Sequence, residues 1–154
     1  MFSTIHGTTG AIVAKYSGNI FLGFILAIIM HFVFDFIPHG DEKLIKDPLK
    51  PTKQELNFVA VIATLDMIIL IIIMGILMYF NKLPADLIIA FGILGGLLPD
   101  LINAACIILK FKFLRPLLKF HEKIHNIIKF EMTLVQGLIF QIVIESLLII
   151  WLIK

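Results

Sequence analysis

Apolar residues do not alternate along this chain; they come in long blocks divided by short polar ones. Four blocks, 19–36, 56–80, 85–109 and 132–153, approach or exceed the roughly 20 mostly apolar residues that a membrane-spanning helix needs. The first is slightly short and the other three are ample. Between the first two lies "PHGDEKLIKDPLKPTKQE", polar and broken by proline, hence a loop. "NKLP" makes the next turn. The earlier stretch "IHGTTGAIVAKYSG" is too short to span, and it predicts a half-helix that folds back onto the first span through "YSG". The block "FKFLRPLLKFHEKIHNIIKF" is of another kind. At about 100° per residue, Lys112, Arg115, Lys119, Glu122, Lys123, Asn126 and Lys129 share one face. Leu114, Leu117, Ile124 and Ile128 share the other, together with His121 and His125. This is a basic amphipathic helix for a membrane interface, its lysines free to meet anionic lipid heads. The expected fold is therefore all-α: a polytopic membrane bundle with four spanning helices, an N-terminal half-helix and an interfacial amphipathic helix, forming a single domain over 1–154.

Composition sharpens this picture. Of 154 residues, 60% are hydrophobic and the mean hydropathy is +1.04, more than a soluble domain of this size uses. The formal net charge of +2 gives no basic field for nucleic acid. The single Cys106 leaves no intrachain disulfide and no cysteine-rich zinc module. The opening "MFSTIHGTTG" lacks the basic and apolar regions of a cleaved signal peptide. Ten of the thirteen basic residues fall in the loop after the first span and in the amphipathic segment, which makes that side cytoplasmic. Tyr16, Tyr79 and Trp151 fall at the opposite face, as an interfacial aromatic belt does. The runs suit a monomer and a symmetric homo-oligomer equally.

Ionisable residues inside spans are costly and mark function. Measured from the outer end of each span, His31 lies roughly 18 Å in, Asp66 roughly 21 Å, Asp100 roughly 22 Å and Gln141 roughly 18 Å. Asp35 lies about one turn nearer the cytoplasm, Glu145 about one turn shallower, and Gln136 is also counted among the polar residues of the spans. A half-helix that folds back returns His6 to the height of His31, and the amphipathic helix roofs the layer with His121 and His125. His31/Asp35 and His121/His125 are i, i+4 pairs, each placing two donors on one helix face. Imidazole with carboxylate is a ligand set for zinc, manganese or iron. The expected ligands are His6, His31, Asp35, Asp100, His121 and His125, with His39 as a further one; so many donors suggest two or more divalent ions. Asp66 and Asp41 are expected to orient ligands or transfer protons. Paired metals suit hydrolysis of phosphate esters.

The pieces "IHGTTG", "HFVFDFIPHGD", "GGLLPD" and "FHEKIH" together resemble the membrane-bound metal-dependent hydrolases, short proteins of the bacterial inner membrane. The resemblance runs from about residue 4 to residue 126 and rests most on H-x-x-x-D-x-x-P-H-x-D. It implies a multi-pass inner-membrane hydrolase, with His121 and His125 as common elements and Glu122 as a substitution. The family usually carries an aromatic between its His and Asp, where this chain has Gly40. A looser likeness, by analogy, is to the helical zinc-dependent phospholipases C, which also hold metal with H-x-x-x-D prongs. The position of the layer suggests membrane lipid as partner and a lipid-like substrate.

Two other readings use the same residues. A buried ring of His and Asp can carry metal ions or protons across a bilayer, although no internal repeat is visible. "HEKIH" is also a literal H-E-x-x-H, the signature of a zinc metalloprotease, with Glu122 as base and Glu145 as third ligand. That assignment leaves His6, His31, Asp35 and Asp100 unexplained.

Overall fold

The computed structural model describes residues 1–40, 44–48, 50–130 and 132–154. They form α1 (Ser3–Ser17), α2 (Ile20–Asp35), α3 (Lys53–Tyr79), α4 (Leu87–Leu109), a 3-10 turn (Lys112–Leu114), α5 (Arg115–His125) and α6 (Leu134–Leu152), with no strand among the described residues. α3, α4 and α6 are long and apolar enough to cross a membrane. The first apolar block becomes α2, with 16 residues; at about 1.5 Å per residue it is about 24 Å long. That is less than the roughly 30 Å of a hydrocarbon core.

Local chemistry sets the helix ends. Asn19 accepts from the Leu22 N–H and Asp86 from the Ile89 N–H, each as an N-cap. Thr52 with Glu55 and Thr133 with Gln136 form capping boxes. Gln136 is thus spent on the first turn of α6 and does not join the polar layer. Gly18, at φ +59°, closes α1 in the left-handed conformation that lets the chain reverse into α2. At the far end, Lys15 donates to the Leu152 carbonyl, and Tyr16 packs on Trp151 with ring centroids 5.9 Å apart.

α1 is the hub. It packs along α2 and α4, which also pack on each other, and it touches α3 and α6. A Cβ on Gly92 would overlap the Gly10 carbonyl oxygen, and one on Gly96 would overlap that of His6. The Gly92-x-x-x-Gly96 stripe therefore lets α1 and α4 approach backbone to backbone, as small residues do between helices in lipid. The first turn of α1 lies deep in the bundle, where its free N–H groups need partners. Gln141 accepts from the Phe2 N–H at 2.7 Å, and Asp66 accepts from the Thr4 N–H at 3.2 Å and the Thr4 hydroxyl at 2.7 Å.

α5 turns one edge inward, burying Leu118 and His121, while Leu117 and Phe120 stay exposed. The expected apolar face thus divides, one edge toward the bundle and one exposed. The outward surfaces of α3 and α6 remain apolar, with Ile71, Val135 and Ile139 at least 60% exposed. A patch that continuous suits lipid rather than water.

Candidate metal centre

The Asp35 carboxylate, at the end of α2, is fully buried. Its Oδ2 lies 2.9 Å from His31 Nε2, 2.8 Å from His121 Nε2 and 3.2 Å from His125 Nε2. Its Oδ1 lies 3.1 Å from His6 Nε2 and 2.8 Å from the Met1 amino group. Asp100 Oδ1 faces the same imidazoles, 3.7 Å from His31 Nε2 and 3.5 Å from His121 Nε2. The His6 ring stacks on His31 with centroids 3.8 Å apart. Donors converge in two groups that share Asp35: His31, Asp35, Asp100 and His121 in one, Asp35, His39 and His125 in the other. α2, α4 and α5 supply all of these but His39, which follows α2, and α1 sets His6 beside them; α1, α2 and α4 form the tightly packed core.

Neighbouring groups aim the rings. His31 Nδ1 lies 2.7 Å from the Gly96 carbonyl, an acceptor, so Nδ1 carries the proton and Nε2 turns a lone pair on the cluster. The next residues on α4 include Pro99, which has no N–H for the Gly95 carbonyl and loosens this turn. His39 Nδ1 is held in the same way by the Ile37 carbonyl at 2.7 Å. The side-chain amide of Asn103 engages His121 Nδ1. Burial lowers the pKa of His125, at the end of α5, below its ordinary value and favours the neutral, lone-pair form of the ring.

The donor set fits a cation. His31 Nε2 and His121 Nε2 face each other at 3.0 Å, an arrangement that needs a proton or a positive ion between two lone pairs. His6 Nδ1 and His125 Nδ1 are buried without a hydrogen-bond partner, and three imidazole nitrogens crowd Asp35 Oδ2 within 3.2 Å. Buried polar atoms are otherwise almost always paired. Ligands bound at about 2.0–2.1 Å sit about 3 Å from one another around an ion, which is the spacing of these donors.

The remaining expected residues have other surroundings. Asp66 belongs to neither donor group; it caps α1 through Thr4. Asp41 lies outside the described residues. Glu145, which the metalloprotease reading takes as third ligand, accepts from the Thr8 hydroxyl at 2.6 Å and is in neither group. Glu122 sits on the cavity wall described below, where burial raises its pKa above the ordinary value, with Asp47 adding to the effect. His39 depends on α6: Gln141 Nε2 donates to its carbonyl at 2.9 Å, and Gly137 packs against that carbonyl. Gly40 follows at φ +85°, where a Cβ would stand 2.7 Å from the Thr133 carbonyl oxygen. The aromatic expected by resemblance has no room there. Asn103 escaped the sequence reading; its signal was the i, i+3 spacing from Asp100 on one helix face.

A cavity of about 400 Å³ opens beside the centre, between α3, α4, α5 and residues 44–48. Asp100, His121 and His125 are among the residues that line it. No family model matches this chain, and no curated protein or solved structure does either.

Proposed function

We propose that the chain is a metal-dependent hydrolase of the bacterial-type inner membrane, with α2, α3, α4 and α6 crossing it and α5 on the cytoplasmic surface. It acts on a phosphate-containing ester. The observation that carries this reading is the sharing of one buried carboxylate, Asp35, by two groups of imidazole donors. The resemblance to the membrane-bound metal-dependent hydrolases supports it. His31, Asp100 and His121 would hold one divalent ion and His39 and His125 a second, with Asp35 common to both and His6 behind them. Zinc suits this nitrogen-rich set best, with manganese and iron as alternatives.

Such ions, when bound, lower the pKa of water and polarise a phosphoryl oxygen. The protein's own groups do the rest. Asp100, with a side chain 35% exposed, is the cluster carboxylate that borders the cavity. It accepts a proton from the attacking water and returns it to the leaving oxygen as the ester P–O bond breaks and the water oxygen joins phosphorus. Asn103 and the Gly96 carbonyl keep His121 and His31 oriented. Asp66 is a positioning residue: it fixes α1, and through α1 it fixes His6.

Elemental analysis of the detergent-purified protein tests this reading, for wild type and for His31→Ala. The expected result is close to two transition-metal ions per wild-type chain and a loss of at least one in the variant. A wild type free of transition metal after growth and purification with zinc overturns the proposal.

A further inference from the structure

The cavity beside the centre has a feature that hydrolysis of a soluble ester does not require. Its two long walls, α3 and α4, are both long and apolar enough to cross a membrane, yet no Cα of one comes within 8 Å of a Cα of the other. α1 packs on both and places Met1, Phe2 and Ser3 in the gap, while the lining residues Ala63, Leu101 and Ala104 stay exposed on its two walls. Val59, Ile62 and Met67 line it from α3, Leu101 and Ile107 from α4. Leu44, Ile45, Pro48 and residues of α5 complete the lining. Asp100 and His121 belong both to the lining and to the donor cluster. Its volume lies toward the lower end of the roughly 300–1,000 Å³ of small-molecule sites, room for one chain rather than two.

We propose that the α3–α4 cleft seats the hydrocarbon chain of a single-tailed amphiphile drawn from the membrane, with a phosphate head against Asp100 and His121. The chain's place follows from the walls alone; the phosphate rests on the hydrolase reading. The lining carries the carboxylates of Asp66, Asp100 and Glu122 and, among the described residues, no lysine or arginine. The Met1 amino group, on another lining residue, is paired with Asp35, so a phosphate head depends mainly on cations at the centre, whereas a neutral head needs none.

Photo-crosslinking of the full chain in nanodiscs tests this. One probe is a lysophosphatidic acid with a diazirine midway along its chain; the other is a monoacylglycerol with the same chain. Crosslinks to the zinc-loaded protein are expected to concentrate at Ile62 and Leu101 over Ile139, which faces outward on α6. Ala63→Trp with Ala104→Trp fills the cleft from two exposed lining positions, so the buried packing is spared. Cleft labelling should then drop about tenfold, the equivalent of roughly two buried methylenes lost, while Ile139 labelling holds. Stripping zinc should weaken the phosphate probe and leave the neutral probe unchanged. Equal labelling of Leu101 and Ile139, indifference to the tryptophans, or equal competition by a two-chain phosphatidic acid overturns the proposal.

The two readings fail separately. Cleft labelling by the neutral probe with no hydrolysis of any phosphate ester keeps the chain site and removes the enzyme. Hydrolysis of a water-soluble phosphate ester with no cleft labelling keeps the enzyme and removes the chain site.

Discussion

The helices that carry the candidate centre and those that flank it are joined by different means. In the core of α1, α2 and α4, backbone meets backbone: Gly92 and Gly96 rest on the carbonyls of Gly10 and His6, and Gly95 rests on that of Phe24. The flanking α3 and α6 hold α1 with side chains. Asp66 takes Thr4, Gln141 takes the Phe2 N–H, and Glu145 takes Thr8. Leu70, Met74, Leu148 and Leu152 add apolar contact. Backbone contact fixes positions to a fraction of an ångström, because neither side can change rotamer. Side-chain clasps tolerate movement. His6, His31, Asp35 and Asp100 all stand on the core, where donors must keep their spacing. The flanks supply one wall of the cleft and, through Gln141 and Gly137, the seat of His39.

The strongest way to break this contrast is to separate α1 from α4. Gly96→Leu puts a side chain where the His6 carbonyl oxygen lies. Overpacking of this kind typically costs 1–3 kcal/mol; here the obstacle is backbone, so about 3 kcal/mol is expected. The same residue's carbonyl holds His31, so metal content should fall together with the unfolding temperature in detergent. A variant that keeps both stability and metal would show that the glycine contact does not set the donor spacing.

A change in a flank should divide those two readouts. Asp66→Ala leaves the Thr4 N–H and hydroxyl without their acceptor deep in the bundle. Buried unsatisfied donors cost about 1–3 kcal/mol, so the unfolding temperature drops. Metal content should hold, because Asp66 is in neither donor group. Loss of metal as complete as in His31→Ala would merge flank and centre into one unit.

What the sequence made legible follows the range of each interaction. Helices arose from apolar blocks, so the all-α architecture could be read directly, and the "YSG" reversal was visible at Gly18. The pairs His31/Asp35 and His121/His125 were legible because i, i+4 geometry is local. Gln136 was misread because an apolar block hid the capping box that begins at Thr133; threonine three residues before glutamine was the clue. The capping of α1 was out of reach. Thr4 and Asp66 are 62 residues apart and Phe2 and Gln141 are 139, and nothing local in either segment names the other. Asn103 was lost for a related reason: a lone amide on an apolar helix reads as packing until the ring it holds is in view.

The smallest effect sharpens the comparison most, because it should change sign between the two regions. Gly75 lies in the interior of α3, and a Cβ there meets nothing within 4 Å. Glycine in a helix interior costs roughly 0.5–1 kcal/mol relative to alanine. Gly75→Ala should therefore stabilise the protein by up to about that amount and leave metal content alone. Gly92→Ala, in the core, gains the same propensity but drives its methyl into the Gly10 carbonyl and the Ala14 side chain, so it should destabilise. Opposite shifts in unfolding temperature for two identical substitutions would separate a backbone-welded core from a loosely clasped flank. Should Gly75→Ala also destabilise, then something covers that stretch of α3 in the membrane, and a second copy of the chain is the first occupant to test by sizing the protein in detergent.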